Sequence, residues 1–153
     1  MSTRWAERYV GVPFLDGGRT LDGCDCWGLV RIVLADRAGI EVPSYDAISA
    51  LDLIRVARQV GRSLDIAPWR TRVAIGDERA LDVAVLRVHR SVERGPGTDA
   101  RMPAHVGIIV APGLVLHAQD GVNSVVQPIA DQAIWRRIIG IFRHDALAGG
   151  CDA

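Results

Sequence analysis

Three side chains in this chain could together break an acyl bond: Cys26, His105 and His117. A thiol attacks as its thiolate, and imidazole is the side chain suited to take that proton near neutral pH. Cys26 stands where a turn-rich stretch, Gly23-Cys24-Asp25, gives way to the apolar run Trp27-Gly28-Leu29-Val30. That places it in the first turn of a helix, with Asp25 as the N-cap. Peptide dipoles there favour negative charge, but only by ~0.3–1 kcal/mol, or ~2 kcal/mol when partly buried. Lowering a thiol pKa from ~8.5 to ~5 takes roughly 5 kcal/mol. The helix alone cannot supply that, so an ion pair with a protonated histidine must provide the rest.

The two histidines flank a hairpin centred on Ala111-Pro112-Gly113. A three-residue loop pairs Val110 with Leu114, Gly107 with His117 and His105 with Gln119. Alternation then puts His105, Gly107, Val115, His117 and Gln119 on one face. The opposite face, Val106, Ile108, Val110, Leu114 and Leu116, is a core face. His105 and His117 become diagonal neighbours ~7–8 Å apart at Cα, near enough for their rings to meet. Gly107 leaves room for a ring beside them. A two-residue loop would shift the register and separate the histidines onto opposite faces. The chemistry thus assigns Cys26 as nucleophile, His105 as base and His117 as the group that orients His105.

Each part also has an ordinary structural use. A cysteine at a helix start packs as a small buried residue, and Cys24 reads as core. Cys151 reads as a tail thiol, His89 and His144 as surface or structural residues, and Trp27 and Trp135 as packing.

The elements that must position these groups follow from periodicity. Residues 2–10 read as a short amphipathic helix, 11–23 as a loop, and 26–38 as a helix ended by Gly39. Residues 47–60 carry apolar side chains at helical spacing. From residue 82 the period becomes that of strands: 82–88, 105–110, 114–118, 123–127 and 138–142, with a brief helix at 129–134. Residues 90–103 read as a polar loop. Helices first and antiparallel strands after make an α+β fold, with N-terminal helices packed against a C-terminal antiparallel sheet. Residues 1–144 form a single domain and 145–153 a loose tail.

Composition narrows the function classes. The chain has 153 residues, 49% hydrophobic and 24% charged, and a formal net charge of zero. That fits one soluble globular domain with its own core. It argues against bulk attraction to nucleic acid or an anionic membrane. All 18 basic residues are arginine. No apolar run approaches the ~20 residues of a membrane span. The first seven residues lack an apolar stretch, so no signal peptide is expected. Zinc-type C-x-x-C and H-x-x-x-H spacings are missing, and no metal or cofactor is called for.

Asp-Cys-Trp-Gly-Leu-Val at 25–30, His-Val-Gly-Ile-Ile-Val at 105–110 and Leu-His-Ala at 116–118 resemble the NlpC-type cysteine peptidases. The loop at 11–26 is similar as well, and the likeness extends from about Tyr9 to Phe142. The resemblance implies a papain-like fold and cleavage of peptide or isopeptide bonds in peptidoglycan stem peptides. It implies Cys26 as nucleophile, His105 as base and His117 as orienting residue. The backbone N–H of Cys26 is a candidate oxyanion donor. One departure is Phe14, where many members carry a tyrosine whose hydroxyl lies near the nucleophile. Cys24–Arg31 followed by Gly39–Tyr45 looks most like the small tail-associated peptidases of bacteriophages and gene transfer agents. That implies synthesis in a bacterial host cytoplasm, a place in the virion tail, action in the cell-wall space, and other tail-tip proteins as partners. The alternatives are an idle structural component of the tail tip, or an amidase or acyltransferase on the same fold.

Overall fold

The helix that carries Cys26 is set by its two ends. Asp25 caps it, its side chain accepting from the Gly28 N–H, and Gly39 in the left-handed conformation closes it. The result is α1, Cys26–Ala38, with the bounds that the residue types predict. Its inner side buries Leu29, Val30, Val33 and Leu34 completely, worth about 1.5–3 kcal/mol each.

The computed structural model describes residues 2–87 and 101–149. Arg4–Tyr9 is a 3-10 helix. The loop expected at 11–23 contains a small hairpin, β1 (Arg19–Thr20) against β2 (Gly23–Cys24). The helix expected at 47–60 is α2, Leu53–Ser63. It starts late because the Asp16 carboxylate takes the Ser49 hydroxyl and the Ala50 N–H, holding 47–52 in turns. Asp52 then caps the helix.

The main sheet is built from β3 (Thr71–Val73), β4 (Val83–Arg87), β5 (Pro103–Ala111), β6 (Leu114–Gln119), β7 (Val122–Pro128) and β8 (Ile138–Arg143). Its order is β3-β8-β4-β5-β6-β7, with neighbouring strands antiparallel. The α+β expectation holds. Strand alternation divides the apolar side chains: Val83, Val85, Val106, Ile108 and Leu116 join the core under α1. Ala84, Leu86, Ile109, Val115 and Ile141 join a second core on the far face. Helices were expected on one side only. The far face is instead covered by Ile129 and by Ile134 of α3, Gln132–Trp135.

The chain's start is tied along the β7 edge. Ser124 accepts from the Val12 N–H and donates its hydroxyl to the Tyr9 carbonyl. Within 145–153, expected as a loose tail, Asp145–Ala148 forms a helical turn, α4. Asp145 pairs with Arg70 at 2.8 Å. His144 caps that turn and stacks edge-on against Trp69, a structural use. His89, Cys151 and most of loop 90–103 lie outside the described residues.

Candidate active site

A buried ion pair builds the platform under Cys26. The Asp25 carboxylate, 2% exposed, accepts from the Gly28 N–H, the Gly17 N–H and Arg19 Nη1 at 2.8, 3.0 and 2.8 Å. Arg19 also donates to the carbonyls of Gly18 and Ser44. The loop ahead of the helix and the turn at Ser44 are thereby fastened to the first turn of α1. Close packing requires Gly28: a Cβ there would meet the Gly18 carbonyl oxygen at 2.2 Å.

Cys26 is 8% exposed. Burial pushes its thiol up to about 12, with the neighbouring Asp25 charge adding to the rise. The backbone N–H groups of Val106 and Trp27 and the Arg19 charge act the other way. Cys24 is fully buried, the core role expected of it, and burial first, then Asp25, pushes it up to about 11. The folded state therefore holds the Cys24 proton above the ordinary thiol value of ~8.5, where the unfolded chain releases it. Stability is expected to fall by about 1.4 kcal/mol per pH unit from there toward pH 11 on account of Cys24. Denaturant titrations of wild type and Cys24→Ala between pH 7 and 10 check this, the variant losing that share of the slope.

The hairpin delivers the two histidines by an unexpected route. Ala111 pairs with Leu114 across a two-residue turn, while Ile109 and Ile108 pair with Val115 and Leu116. A bulge between Ile109 and Ala111 restores the odd register that the turn alone would destroy. The expected Val110–Leu114 pair is thus replaced, yet His105 and His117 still share a face. His105 Nε2 lies 2.9 Å from His117 Nδ1, and the rings meet edge-on. Gly107 makes this possible: a Cβ there would sit 2.7 Å from Val115 Cγ2 and 3.2 Å from His117 Cβ. Gly107→Ala is expected to cost about 1–3 kcal/mol and to push His117 away from His105. Chemical denaturation measures the first, and the rate of Cys26 alkylation the second.

Cys26 and His105 line one cavity of about 340 Å³, together with Ala104 and Val106. A second register shift in β5 lies between the Leu86–His105 and Arg87–Pro103 pairs. The remaining wall is largely apolar and includes Trp27, Tyr45, Val60, Trp69 and Phe142. Trp27, expected only to pack, forms part of this wall while its indole N–H donates to the Pro43 carbonyl. Trp135, also expected to pack, is 53% exposed. Phe14 packs half-buried against the core under α1.

Two residues near the pair escaped the sequence reading. Gln127 on β7 places its Oε1 2.5 Å from His117 Nε2. Arg137, just before β8, is buried and donates to the Arg87 carbonyl and to Gln119 Oε1. Burial lowers its guanidinium to about 10, partly restored by Cys26. Neither had a local signal, since each reaches the site through strand order rather than spacing. Among the described residues, no group of three or more His, Cys, Asp or Glu is placed to hold a metal ion, and no helix is long and apolar enough to cross a membrane.

Residues 11–77 match the sequence model of the NlpC/P60 family, a span that includes Cys26 and stops before His105. No curated protein matches the chain. Several solved structures are similar in fold. One is a lipoprotein-like NLP/P60 family protein from Staphylococcus aureus subsp. aureus Mu50, at 23% identity and a TM-score of 0.59. The alignment covers 91% of this chain and 38% of that one. The NlpC/p60 domain of the peptidoglycan hydrolase SagA aligns at 20% identity and a TM-score of 0.56, over 90% of this chain and 92% of that one. NlpC2 from Trichomonas vaginalis aligns at 18% identity and 0.56, over 93% and 45%. This chain therefore spans well under two thirds of the staphylococcal and Trichomonas proteins but nearly all of the SagA domain. The fold is that of the NlpC/P60 papain-like domains.

Proposed function

We infer that this chain, which carries an NlpC/P60 family domain on a papain-like fold, is a cysteine hydrolase of bacterial peptidoglycan stem peptides. One observation carries the reading: Cys26 on the first turn of α1 opens into the same cavity as His105, whose far nitrogen is bonded to His117. Members of the matched family are cysteine peptidases or hydrolases, and the structurally similar SagA domain comes from a peptidoglycan hydrolase.

Cys26 Sγ attacks the scissile carbonyl carbon and its proton passes to His105. The backbone N–H of Cys26 is a donor for the developing oxyanion. His105 returns the proton to the leaving amine, and water then releases the acyl group from sulfur. The bond is a peptide or isopeptide bond beside D-glutamate or diaminopimelate. The stretches 24–31 and 39–45, similar to those of tail-associated peptidases, support a place in a phage or gene-transfer-agent tail, with other tail-tip proteins as partners. The enzyme would then act in the cell-wall space.

The test is release of stem peptides from purified peptidoglycan, read by mass spectrometry, for wild type and Cys26→Ala. Release by wild type alone supports the reading, and equal release overturns it. One observation favours a second reading, an idle structural domain of the tail tip: the thiol is buried and its pKa raised. Alkylation separates the two, because a catalytic Cys26 reacts fast below pH 7 and an idle one only as pH approaches its own high pKa.

A further inference from the structure

The second histidine has a partner of its own, and that partner decides where the protons sit. With the Gln127 amide oriented as it is, Oε1 faces His117 Nε2; an amide oxygen can only accept, so in this orientation His117 carries its proton on Nε2. A neutral imidazole with Nε2–H has its lone pair on Nδ1. That lone pair faces His105 Nε2 at 2.9 Å, so His105 in turn donates from Nε2. The lone pair of neutral His105 is thereby left on Nδ1. With the Gln127 amide reversed, every proton in the row reverses. His117 then donates from Nδ1, His105 accepts at Nε2, and its own proton occupies Nδ1, where it can accept nothing.

We propose that Gln127 is a positioning residue that fixes the tautomers of His117 and His105, so that the basic nitrogen of the pair is His105 Nδ1. The fold supports a dedicated role. β6 and β7 are locked in register, with His117 opposite Val125 and Val115 opposite Gln127. Gln127 and His117 therefore lie diagonally on one face of adjacent strands, at the separation from which long side chains meet. His117 is 4% exposed, so little water is available to replace the amide oxygen. The amide also acts when the base is loaded. Once His105 takes a proton on Nδ1, its Nε2–H points at His117 Nδ1, and His117 is held from behind by Gln127 with that lone pair facing the charge. For its use in catalysis this rests on the cysteine-hydrolase reading; the proton assignment does not.

Two measurements test it separately. Long-range nitrogen–proton NMR of the imidazoles, on the Cys26→Ala protein at a pH where both rings are neutral, reports each tautomer directly. The expected pattern is a proton on Nε2 of both histidines, and mixed tautomers in Cys26→Ala/Gln127→Met. A proton on Nδ1 of His105, or an unchanged pattern in the folded Gln127→Met protein, overturns the proposal. The second readout is the pH dependence of Cys26 alkylation by iodoacetamide. Gln127→Met is expected to slow alkylation at pH 7 by about 10–100-fold, by analogy with loss of the outer partner that orients a metal-bound histidine. Gln127→Glu keeps an acceptor and adds negative charge, so it should hold the rate while moving the acidic limb up by about one pH unit. Variants that superimpose on wild type in rate and limb also overturn the role. A wild-type Cys26 that reacts as an ordinary buried thiol, with the tautomers as stated, removes the hydrolase reading and leaves the assignment standing.

Discussion

His105→Ala is expected to lower turnover of stem peptides by about 10³–10⁴-fold, the upper part of what a positioned base contributes, with the protein still folded. The state of the sulfur is the reason. Cys26 is buried, and its thiol is pushed up to about 12. At pH 7 such a thiol on its own is far less ionised than an exposed one. The dipole of α1 offsets only ~2 kcal/mol of that at most, and the N–H groups of Val106 on β5 and Trp27 on α1 already act in the lowering direction. The ionised sulfur must therefore form together with a cation able to take its proton, and of the groups lining its cavity His105 is the imidazole. Transfer within the pair creates thiolate and imidazolium side by side, so no net charge has to be buried. The pH profile carries the sharper signature. Wild type should show a rate that levels off with rising pH, because His105 takes the proton. The variant has no base, so its residual rate should climb about tenfold per pH unit through pH 9, following hydroxide. A variant within about threefold of wild type, with the same profile, would sink the assignment of His105 as base. Circular dichroism and thermal melts guard against a folding artefact, because truncating a buried ring leaves a cavity.

What the residues alone disclosed, and what they did not, follows from range. The ends of α1 were legible because Asp25 and Gly39 act within four residues of the backbone they satisfy. The shared face of His105 and His117 was legible because alternation is local. The way it is achieved was not: a two-residue turn and a bulge sum to the same register as a three-residue loop, and hydrophobic pattern cannot distinguish them. The start of α2 was misjudged because Asp16, more than thirty residues away, captures Ser49 and Ala50. Gln127 and Arg137 were missed for the same reason. Gln127 could have been flagged by continuing the hairpin to β7, where Val125 stands opposite His117. Arg137 becomes a neighbour only because β8 inserts between β3 and β4, an order that nothing in its own segment signals.

The largest effect on stability is expected at Asp25. Asp25→Ala should destabilise the protein by about 3–5 kcal/mol, the usual cost of leaving one member of a buried ion pair without its partner. At this chain length that lowers the melting temperature by roughly 10–15 °C, and against a typical total of 5–15 kcal/mol it brings the domain near unfolding. The carboxylate supports three donors at once, from Gly28, Gly17 and Arg19. Losing the cap alone would account for only about 1 kcal/mol. Most of the loss comes from Arg19, whose side chain is 13% exposed. Two discriminating variants follow. Asp25→Asn keeps an acceptor for the Gly28 N–H but loses the charge, so it should fall between wild type and alanine. Asp25→Leu combined with Arg19→Met removes both charges and should recover part of the loss, a non-additivity that a double-mutant cycle reads directly. The same variants separate two meanings of the residue beside Cys26. The Asp25 charge raises the Cys26 pKa, so Asp25→Asn should make the surviving thiol more acidic, with alkylation at pH 7 faster or unchanged. If alkylation slows in step with the lost stability, Asp25 serves Cys26 only by holding the first turn of α1 against the loop. If it slows while the melting temperature is unchanged, the ion-pair account of Asp25 is wrong.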